Sequence, residues 1–356
     1  MADFRQGVAL GPLTTIGLGG PARLYGEAAS EAELRDALTE ARQAKLPVQV
    51  LGGGSNTVFS DRGYPGLVLR VALRGLEVRT DGEDALITAA AGEDWDPFVA
   101  QCVEQGLQGV ECLSGIPGSV GATPIQNVGA YGQEVSQTLV RLWAIDRQTL
   151  EAVSFAGSEC GFAYRQSRFK REDAGRYIIT RVAYRLRRGA RPALVYPELA
   201  RAARSLGVQE AAPGEALQLT REAVLTLRRG KSMVYDPKDP NSRSVGSFFL
   251  NPVLDETAYR TLRERLRQHF PDDPPEPPTF PAEGGRKVPA AWIIERAGFR
   301  KGLRRGGAGI SENHTLALVN YSGTTAELLA LADEIEAGVE RAFGVHLQRE
   351  PVIVGP

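Results

Sequence analysis

The 356-residue sequence predicts an α+β protein of more than one domain. The chain is longer than one typical domain. Its first third alternates strand and helix patterns, and residues 139–188 then turn to strands. After a turn-rich break at Asp236-Pro237-Lys238-Asp239-Pro240-Asn241, helix patterns dominate, with short strands between them.

Taken in order, Ser30 and Glu33 make a capping box for a helix over 30–45, with Leu34, Ala37, Leu38 and Ala41 on one face. Strands follow at 48–51, 66–71 and 86–91, the first two giving a βαβ-like start. Asp94 is placed to cap a helix over about 96–105 that Gly106 closes. Residues 139–146 and 177–187 read as strands, the second alternating Ile179, Arg181, Ala183 and Arg185 against Val182, Tyr184 and Leu186. Helices are expected at 222–229, 255–270 and 290–297. Pro271 to Pro289 reads as a proline-rich loop, with seven prolines in nineteen residues. A strand at 315–320 precedes a helix from Thr324 to about 343 with Gly344 at its C-cap, and 345–354 is expected as a final strand.

Composition excludes several function classes. A net charge of −1 makes no electrostatic case for nucleic acid or membrane surfaces. The start Met1-Ala2-Asp3-Phe4-Arg5 holds no apolar signal core, and no run reaches transmembrane length. Cys102, Cys112 and Cys160 lack CxxC spacing, and with only three histidines they make no metal site. Reduced thiols in the cytoplasm are the expectation.

Two glycine clusters carry the first chemical signal. Gly115 to Gly132, GIPGSVGATPIQNVGAYG, holds five glycines, two prolines and four uncharged polar side chains, with no charge. Glycines let main chain approach a ligand closely, and Ser, Thr, Gln and Asn supply neutral hydrogen bonds. Gly52-Gly53-Gly54-Ser55-Asn56 follows the strand at 48–51, where consecutive glycine N–H groups can form an anion nest. Neither cluster is a dinucleotide fingerprint or a P-loop. Together they point to phosphate binding.

These motifs, with Phe162-Ala163-Tyr164-Arg165-Gln166-Ser167, Gly246-Ser247-Phe248-Phe249-Leu250-Asn251-Pro252, Ala291-Trp292-Ile293-Ile294-Glu295 and Glu350-Pro351, stand in the order found in one family. The chain resembles the UDP-N-acetylenolpyruvoylglucosamine reductases, flavoenzymes of bacterial peptidoglycan synthesis, over nearly its whole length. The resemblance implies a three-domain flavoenzyme with a vanillyl-alcohol-oxidase-type FAD-binding fold and a smaller C-terminal substrate-binding α+β domain. The expected domains are 1–72 with 326–356, then 73–230, then 231–325. NADPH would reduce bound FAD and leave. The enolpyruvyl nucleotide sugar would then take hydride from flavin N5 at C3 and a proton at C2.

The resemblance also assigns residues. Gly52, Gly53, Gly54, Ser55, Asn56, Gly115, Gly118, Ser119, Gly121, Ala122, Gln126, Asn127, Gly129, Ala130, Tyr131 and Arg165 would hold FAD. Ser247 matches the proton donor, Arg165 the arginine that stabilises charge growing on the substrate, and Glu350 a carboxylate acting with it. Tyr196 matches the tyrosine of a loop closing over the nucleotide diphosphate in the longer subclass, Lys231 a lysine contacting that diphosphate, and Asn251 a substrate-holding amide. Two positions depart from the family pattern. The Lys231–Ser247 spacer is longer and more polar, and Arg296 stands where glutamine is expected. His269, His314 and His346 lie outside both glycine clusters, so FAD is expected to be noncovalent. The competing readings are a vanillyl-alcohol-type oxidase, which would not require Gly246–Pro252 with the downstream Glu350-Pro351, and an inactive nucleotide-sugar sensor, against which the joint presence of Ser247, Arg165 and Glu350 argues. The expected partner is a small nucleotide sugar, with no nucleic acid and no membrane span, and a monomer is expected.

Overall fold

The structure, a computed structural model, describes residues 3–355. These divide into two compact units. The first comprises the chain through Val8, Pro21–Gly54 and Tyr64–Val234, and the second Ala9–Gly20, Ser55–Gly63 and the chain from Tyr235 onward. Most of 1–72 and all of 73–230, expected as two subdomains, thus fall in one unit.

The first unit is built on two sheets. A four-stranded sheet has the strand order Arg5–Ala9, Pro21–Ala28, Tyr64–Val71, Val48–Leu51. Its last two pairings are parallel, as the βαβ pattern predicts. Helix α1, Glu31–Gln43, makes the crossover; Ser30 accepts the Glu33 N–H, and Leu34, Ala37, Leu38 and Ala41 are its buried face. Glu33 itself reaches one residue further back than a capping box requires, to the Ala29 N–H. The larger sheet is antiparallel and centres on Tyr177–Arg188, flanked by Leu139–Asp146 and Asp84–Ala90. Arg181 and Arg185 are exposed on the central strand, whereas Val182, Tyr184 and Leu186 are buried. Helix α2, Trp95–Glu104, adds Trp95 and Phe98 to Tyr184 in an aromatic core with ring separations of 5.3–5.9 Å. Helices α3, Pro197–Ser205, and α4, Pro213–Arg229, form a smaller apolar cluster around Cys112, Leu199 and Val224. Helix α4 begins nine residues earlier than the pattern at 222–229 indicates.

The second unit packs α5, Glu256–His269, α6, Ala290–Arg296, and α7, Thr325–Phe343, around Phe248, Phe249, Leu318 and Val345. Residues 326–355, expected to group with 1–72, lie in this unit together with Ala9–Gly20 and Ser55–Gly63. The α7 stripe Leu328, Leu331, Ile335, Val339 and Phe343 is buried in this second core, and Val352–Val354 pairs in parallel with Thr57–Phe59. An apolar stripe is assigned by what covers it, and here the cover is the C-terminal core. The proline-rich segment is not all loop: Phe280–Ala282 and Gly285–Lys287 form a hairpin whose second strand also pairs with Val253–Leu254. Prolines are tolerated on such short edge strands. Of the expected final strand only Val352–Val354 is regular.

Helix α7 has the terminal chemistry its sequence announces. Thr324 and Glu327 complete a capping box, and Gly344 closes the helix at φ +68°. Thr324→Ala should lower unfolding free energy by about 1 kcal/mol, read from urea unfolding midpoints. A loss under about 0.2 kcal/mol would show that the box is idle.

Candidate active site

The two glycine clusters meet inside the first unit. A Cβ on Gly52 would lie 2.7 Å from Ser119 Oγ, and one on Gly53 would lie 2.7 Å from Gly118 Cα and 2.9 Å from its carbonyl carbon. Gly118 adopts φ +130°, a conformation that L side chains rarely reach. The long glycine-rich stretch is held from below. Trp95 N–H donates to the Gly118 carbonyl, Val120 N–H to Glu93 and Gly121 N–H to Ala91. Thr123 Oγ1 lies 2.9 Å from Tyr184 Oη of the central strand. Gly121 approaches Ala91 so closely that its Cβ would sit 2.4 Å from the alanine methyl.

This arrangement fits a flavin dinucleotide. Two main-chain segments are pressed together without side chains between them. The Gly53 and Gly54 N–H groups make no backbone hydrogen bond among the described residues. Consecutive glycine N–H donors of this kind are suited to a diphosphate. Gly52, Gly53, Gly54, Gly115, Gly118, Ser119 and Gly121 would hold the group by main chain.

Other expected cofactor residues are organised differently. Asn127, in the left-handed region at φ +47°, is almost fully buried, and its amide is spent inside the protein. Its Nδ2 donates to Glu134 Oε2 (2.7 Å) and the Ala163 carbonyl (3.1 Å), and its Oδ1 accepts the Ser136 N–H (3.1 Å). It orders the loop that carries Gly129 and Tyr131. Arg165 sits at φ +52° in a two-residue turn closed by reciprocal 3.1 Å hydrogen bonds between Ala163 and Gln166. Its guanidinium donates to the carbonyls of Gly129 (2.6 Å) and Asn127 (3.4 Å), pinning this turn against the glycine-rich stretch. A non-glycine residue in that conformation costs of order 1–3 kcal/mol, and it persists here because both ends of the turn and the guanidinium are tied.

A cationic corner adjoins it within the same unit. Lys231 Nζ lies 2.7 Å from Glu198 Oε2 and 5.9 Å from the Tyr131 ring centroid. Tyr131 and Tyr196 meet edge to face at 5.6 Å. Burial pushes the Tyr131 hydroxyl up to about 12, so it stays protonated. Arg228, at the end of α4, was not singled out by the sequence. Its Nε is buried with no hydrogen-bond partner among the described residues, and its Nη2 donates to the Met233 carbonyl (2.7 Å). Burial, and secondarily the charge of Arg165, lowers its guanidinium to about 10, which leaves it cationic at neutral pH. A Cβ on Gly115 would lie 3.5 Å from Arg228 Nε. Asp96 fixes the same corner. It accepts the Gly115 N–H at 2.6 Å and holds Arg221 through both carboxylate oxygens. Burial would raise its carboxyl, but these partners outweigh that and hold it below the usual range. Consecutive arginines before a helix-ending glycine look like ordinary surface charge, which is why Arg228 carries no signal in the sequence.

Glu111 is a second buried charge that the sequence did not reveal. It is fully buried, and its Oε2 accepts the Gly109 N–H at 2.7 Å. Burial pushes its carboxyl above the usual range. A raised folded value means its contribution to stability is complete below the unfolded value, near 4.3, and is lost as pH rises through the folded one. Glu111→Gln should therefore gain in melting temperature relative to the parent chain between pH 5 and pH 8. A constant difference across that range would show that Glu111 does not titrate there.

In the second unit, the backbone segments that carry Ser247 and Glu350 run beside each other. Phe248 N–H donates to the Leu316 carbonyl, Glu350 N–H to Phe248 and Leu250 N–H to Gln348. This short antiparallel pairing sets Phe249 opposite Arg349. Ser247 then lies one register position from Glu350. Gly246 precedes it at φ +76° with open space where a Cβ would be, so the turn's dihedral and not crowding by this chain requires glycine. Phe248 and Phe249 are buried, with rings 5.3 Å apart. Arg349 is locked to Glu336 and Asp333 of α7, which fixes the strand carrying Glu350. Asn56 joins the same segment: its Nδ2 donates to the Glu350 carbonyl and its own carbonyl accepts the Val352 N–H. Asn251 Oδ1 accepts the Ala290 N–H at 2.9 Å and so caps α6. Arg296 stacks on Trp292 at 4.9 Å. The long spacer after Lys231 has a structural account. The chain passes from one unit to the other after Val234, and the extra residues form a turn in which Ser242 Oγ bonds the Asp236 and Asp239 carbonyls.

Among the described residues no His, Cys, Asp and Glu cluster could hold a metal ion. No helix is long and apolar enough to cross a membrane. Residues 22–148 match the FAD binding domain family, which makes this a flavoprotein. Residues 237–354 match the C-terminal domain of UDP-N-acetylenolpyruvoylglucosamine reductase. A reductase of that name from Thermobifida fusca is 48% identical, covering 99% of this chain and 98% of the relative. One from Streptomyces coelicolor is 50% identical over 97% of this chain and 89% of its own. The crystal structure of the Thermus caldophilus enzyme shares the fold, with a TM-score of 0.65 at 24% identity over 100% of this chain and 99% of that one. The chain belongs to the UDP-N-acetylenolpyruvoylglucosamine reductase family.

Proposed function

We propose that Ser247, Arg165 and Glu350 divide the chemistry of this family's reaction in this protein. It is an oxidoreductase that reduces the enolpyruvyl ether of a UDP-N-acetylglucosamine derivative to the lactyl ether needed for peptidoglycan, with NADPH as reductant. The glycine clusters would hold FAD by main chain, and the bound flavin would supply the hydride that C3 of the enolpyruvyl group receives. Negative charge then develops at C2 and on the adjoining carboxylate. Ser247 gives a proton to C2: a neutral hydroxyl is a weak acid, but it suffices for carbon with carbanion character. Arg165 presents a planar guanidinium able to pair with a carboxylate. Glu350, on the segment paired with Phe248, would restore the serine proton. Phe248 and Phe249 exclude water beneath the serine. Lys231, Arg228 and Tyr131 provide the positive, partly buried corner for the nucleotide diphosphate, with Tyr196 lying against it. Asn251 orients the loop after Ser247 through its cap on α6, and Nδ2 is the part of its amide that would serve a ligand.

The observation that supports this reading most is the backbone pairing of Phe248–Leu250 with Gln348–Glu350, which draws together the segments of Ser247 and Glu350 from a hundred positions apart. NADPH and a uridine nucleotide are cytoplasmic reagents, which supports a cytoplasmic enzyme. The decisive experiment is anaerobic. NADPH should bleach the 450-nm flavin band, and the enolpyruvyl nucleotide should restore it. No substrate-dependent turnover would overturn the reductase reading, and faster recovery with oxygen alone would favour an oxidase.

A further inference from the structure

Glu198 occupies the ammonium that a nucleotide diphosphate would use. Its carboxylate is in contact with Lys231 at 2.7 Å, and both side chains are about one-third exposed (33% and 31%). The pair is not an incidental surface bridge. Glu198 stands two residues beyond Tyr196, in the first turn of α3. The segment leading to it is anchored at Arg191, whose guanidinium donates to the carbonyls of Val208 (2.6 Å), Gln209 (2.9 Å) and Ala211 (2.8 Å). Beyond that anchor Val195 is 72% exposed and Tyr196 38% exposed. Tyr196 rests on Tyr131 at 5.6 Å, and Lys231 sits 5.9 Å from the same ring. One carboxylate therefore ties the Tyr196 segment to the lysine.

We propose that Glu198 is a positioning residue that holds Lys231 against Tyr131 in the free enzyme and yields it to the diphosphate of the incoming nucleotide. This rests on the reading of Lys231 as a diphosphate ligand. A diphosphate drawn to the Lys231 ammonium meets a carboxylate already in contact with it at 2.7 Å, and the two anions repel each other at that range. A diphosphate carries more charge than one carboxylate and wins, but Glu198 repels it while in contact with the same nitrogen. Binding therefore requires Glu198 to withdraw, and Glu198 is joined to Tyr196 by a single residue. The exchange of one anion for another would release the Tyr196 segment from its resting contact as the nucleotide arrives. It also gives the site a selectivity: a ligand with too little phosphate charge does not displace the carboxylate.

The test uses FAD-loaded protein and UDP as the probe, with dissociation constants from calorimetry in low salt. Exposed ion pairs are worth little, so Glu198→Gln should tighten UDP about two- to fivefold. It should lower KM for the enolpyruvyl nucleotide by a similar factor without raising kcat. Glu198→Asp, which keeps the charge, should bind UDP within a factor of two of the parent. Lys231→Ala should weaken UDP, and adding Glu198→Gln to it should recover less than Glu198→Gln achieves alone. If Lys231→Ala weakens UDP but Glu198→Gln weakens it or changes it less than about 1.5-fold, Glu198 is only a scaffold and the proposal fails by itself. If Lys231→Ala leaves UDP affinity unchanged, Lys231 is not the diphosphate ligand, and both the site assignment and the proposal fail.

Discussion

Ser247→Ala should reduce its flavin with NADPH at a rate within about twofold of the parent enzyme, yet reduce the enolpyruvyl nucleotide about 10²–10⁴-fold more slowly. The two half-reactions differ in what they ask of the protein. Flavin reduction needs a bound nicotinamide and no proton from this serine. Substrate reduction needs a proton at C2 as the hydride arrives at C3. Ser247 sits on a segment fixed by the Phe248–Leu316 and Phe248–Glu350 backbone hydrogen bonds, neither of which uses its side chain, so alanine leaves that frame intact. Stopped-flow absorbance separates the two steps. An equal loss in both would assign Ser247 a structural role.

Gly53→Ala should yield a protein that purifies with little or no bound FAD and melts lower. A methyl there would stand 2.7 Å from Gly118 Cα and 2.9 Å from its carbonyl carbon, both main-chain atoms with no rotamer to escape through. Either the two glycine clusters separate or the strand before Gly52 shifts. Overpacking of this kind costs about 1–3 kcal/mol in a well-packed region. The separation would also spoil the row of N–H donors on which the diphosphate depends. Flavin content per chain and the FAD dissociation constant, measured by flavin fluorescence, report the effect. A Gly53→Ala protein with full flavin occupancy and parental affinity would show that the contact of the two clusters is dispensable for the cofactor.

The unequal legibility of the elements has physical causes. Helices α1 and α7 were readable almost to the residue because their caps, periodic apolar faces and C-terminal breaks are all local. The strand Leu139–Asp146 was readable because it is apolar-rich and bounded by turns, and Tyr177–Arg188 because exposed Arg181 and Arg185 alternate with buried Val182, Tyr184 and Leu186. The hairpin Phe280–Lys287 was hidden by its prolines, which mark loops in sequence but are accepted on short edge strands. The start of α4 at Pro213 was hidden because Pro213 and Gly214 read as a turn, although proline suits a first helical position.

The site divides along the same line. Glycine clusters, a serine between glycine and two phenylalanines, and an arginine in Tyr164-Arg165-Gln166-Ser167 are local patterns, and through their resemblance to one family's motifs the sequence alone pointed to the flavin and to the family. It could not say that the Asn127 amide is consumed within the protein, that Asn251 caps a helix, or that α7 and the last strand belong to the C-terminal core. Nor could it single out Arg228, Glu111 or Glu198. Those facts depend on which partner a group meets across long sequence separations. Hydrogen bonds and ion pairs act only over a few ångströms, so which residues meet is decided when the chain packs. The contact of Gly53 with Gly118 shows the two levels together: each glycine is conspicuous in sequence, but only the tertiary structure makes one the reason for the other.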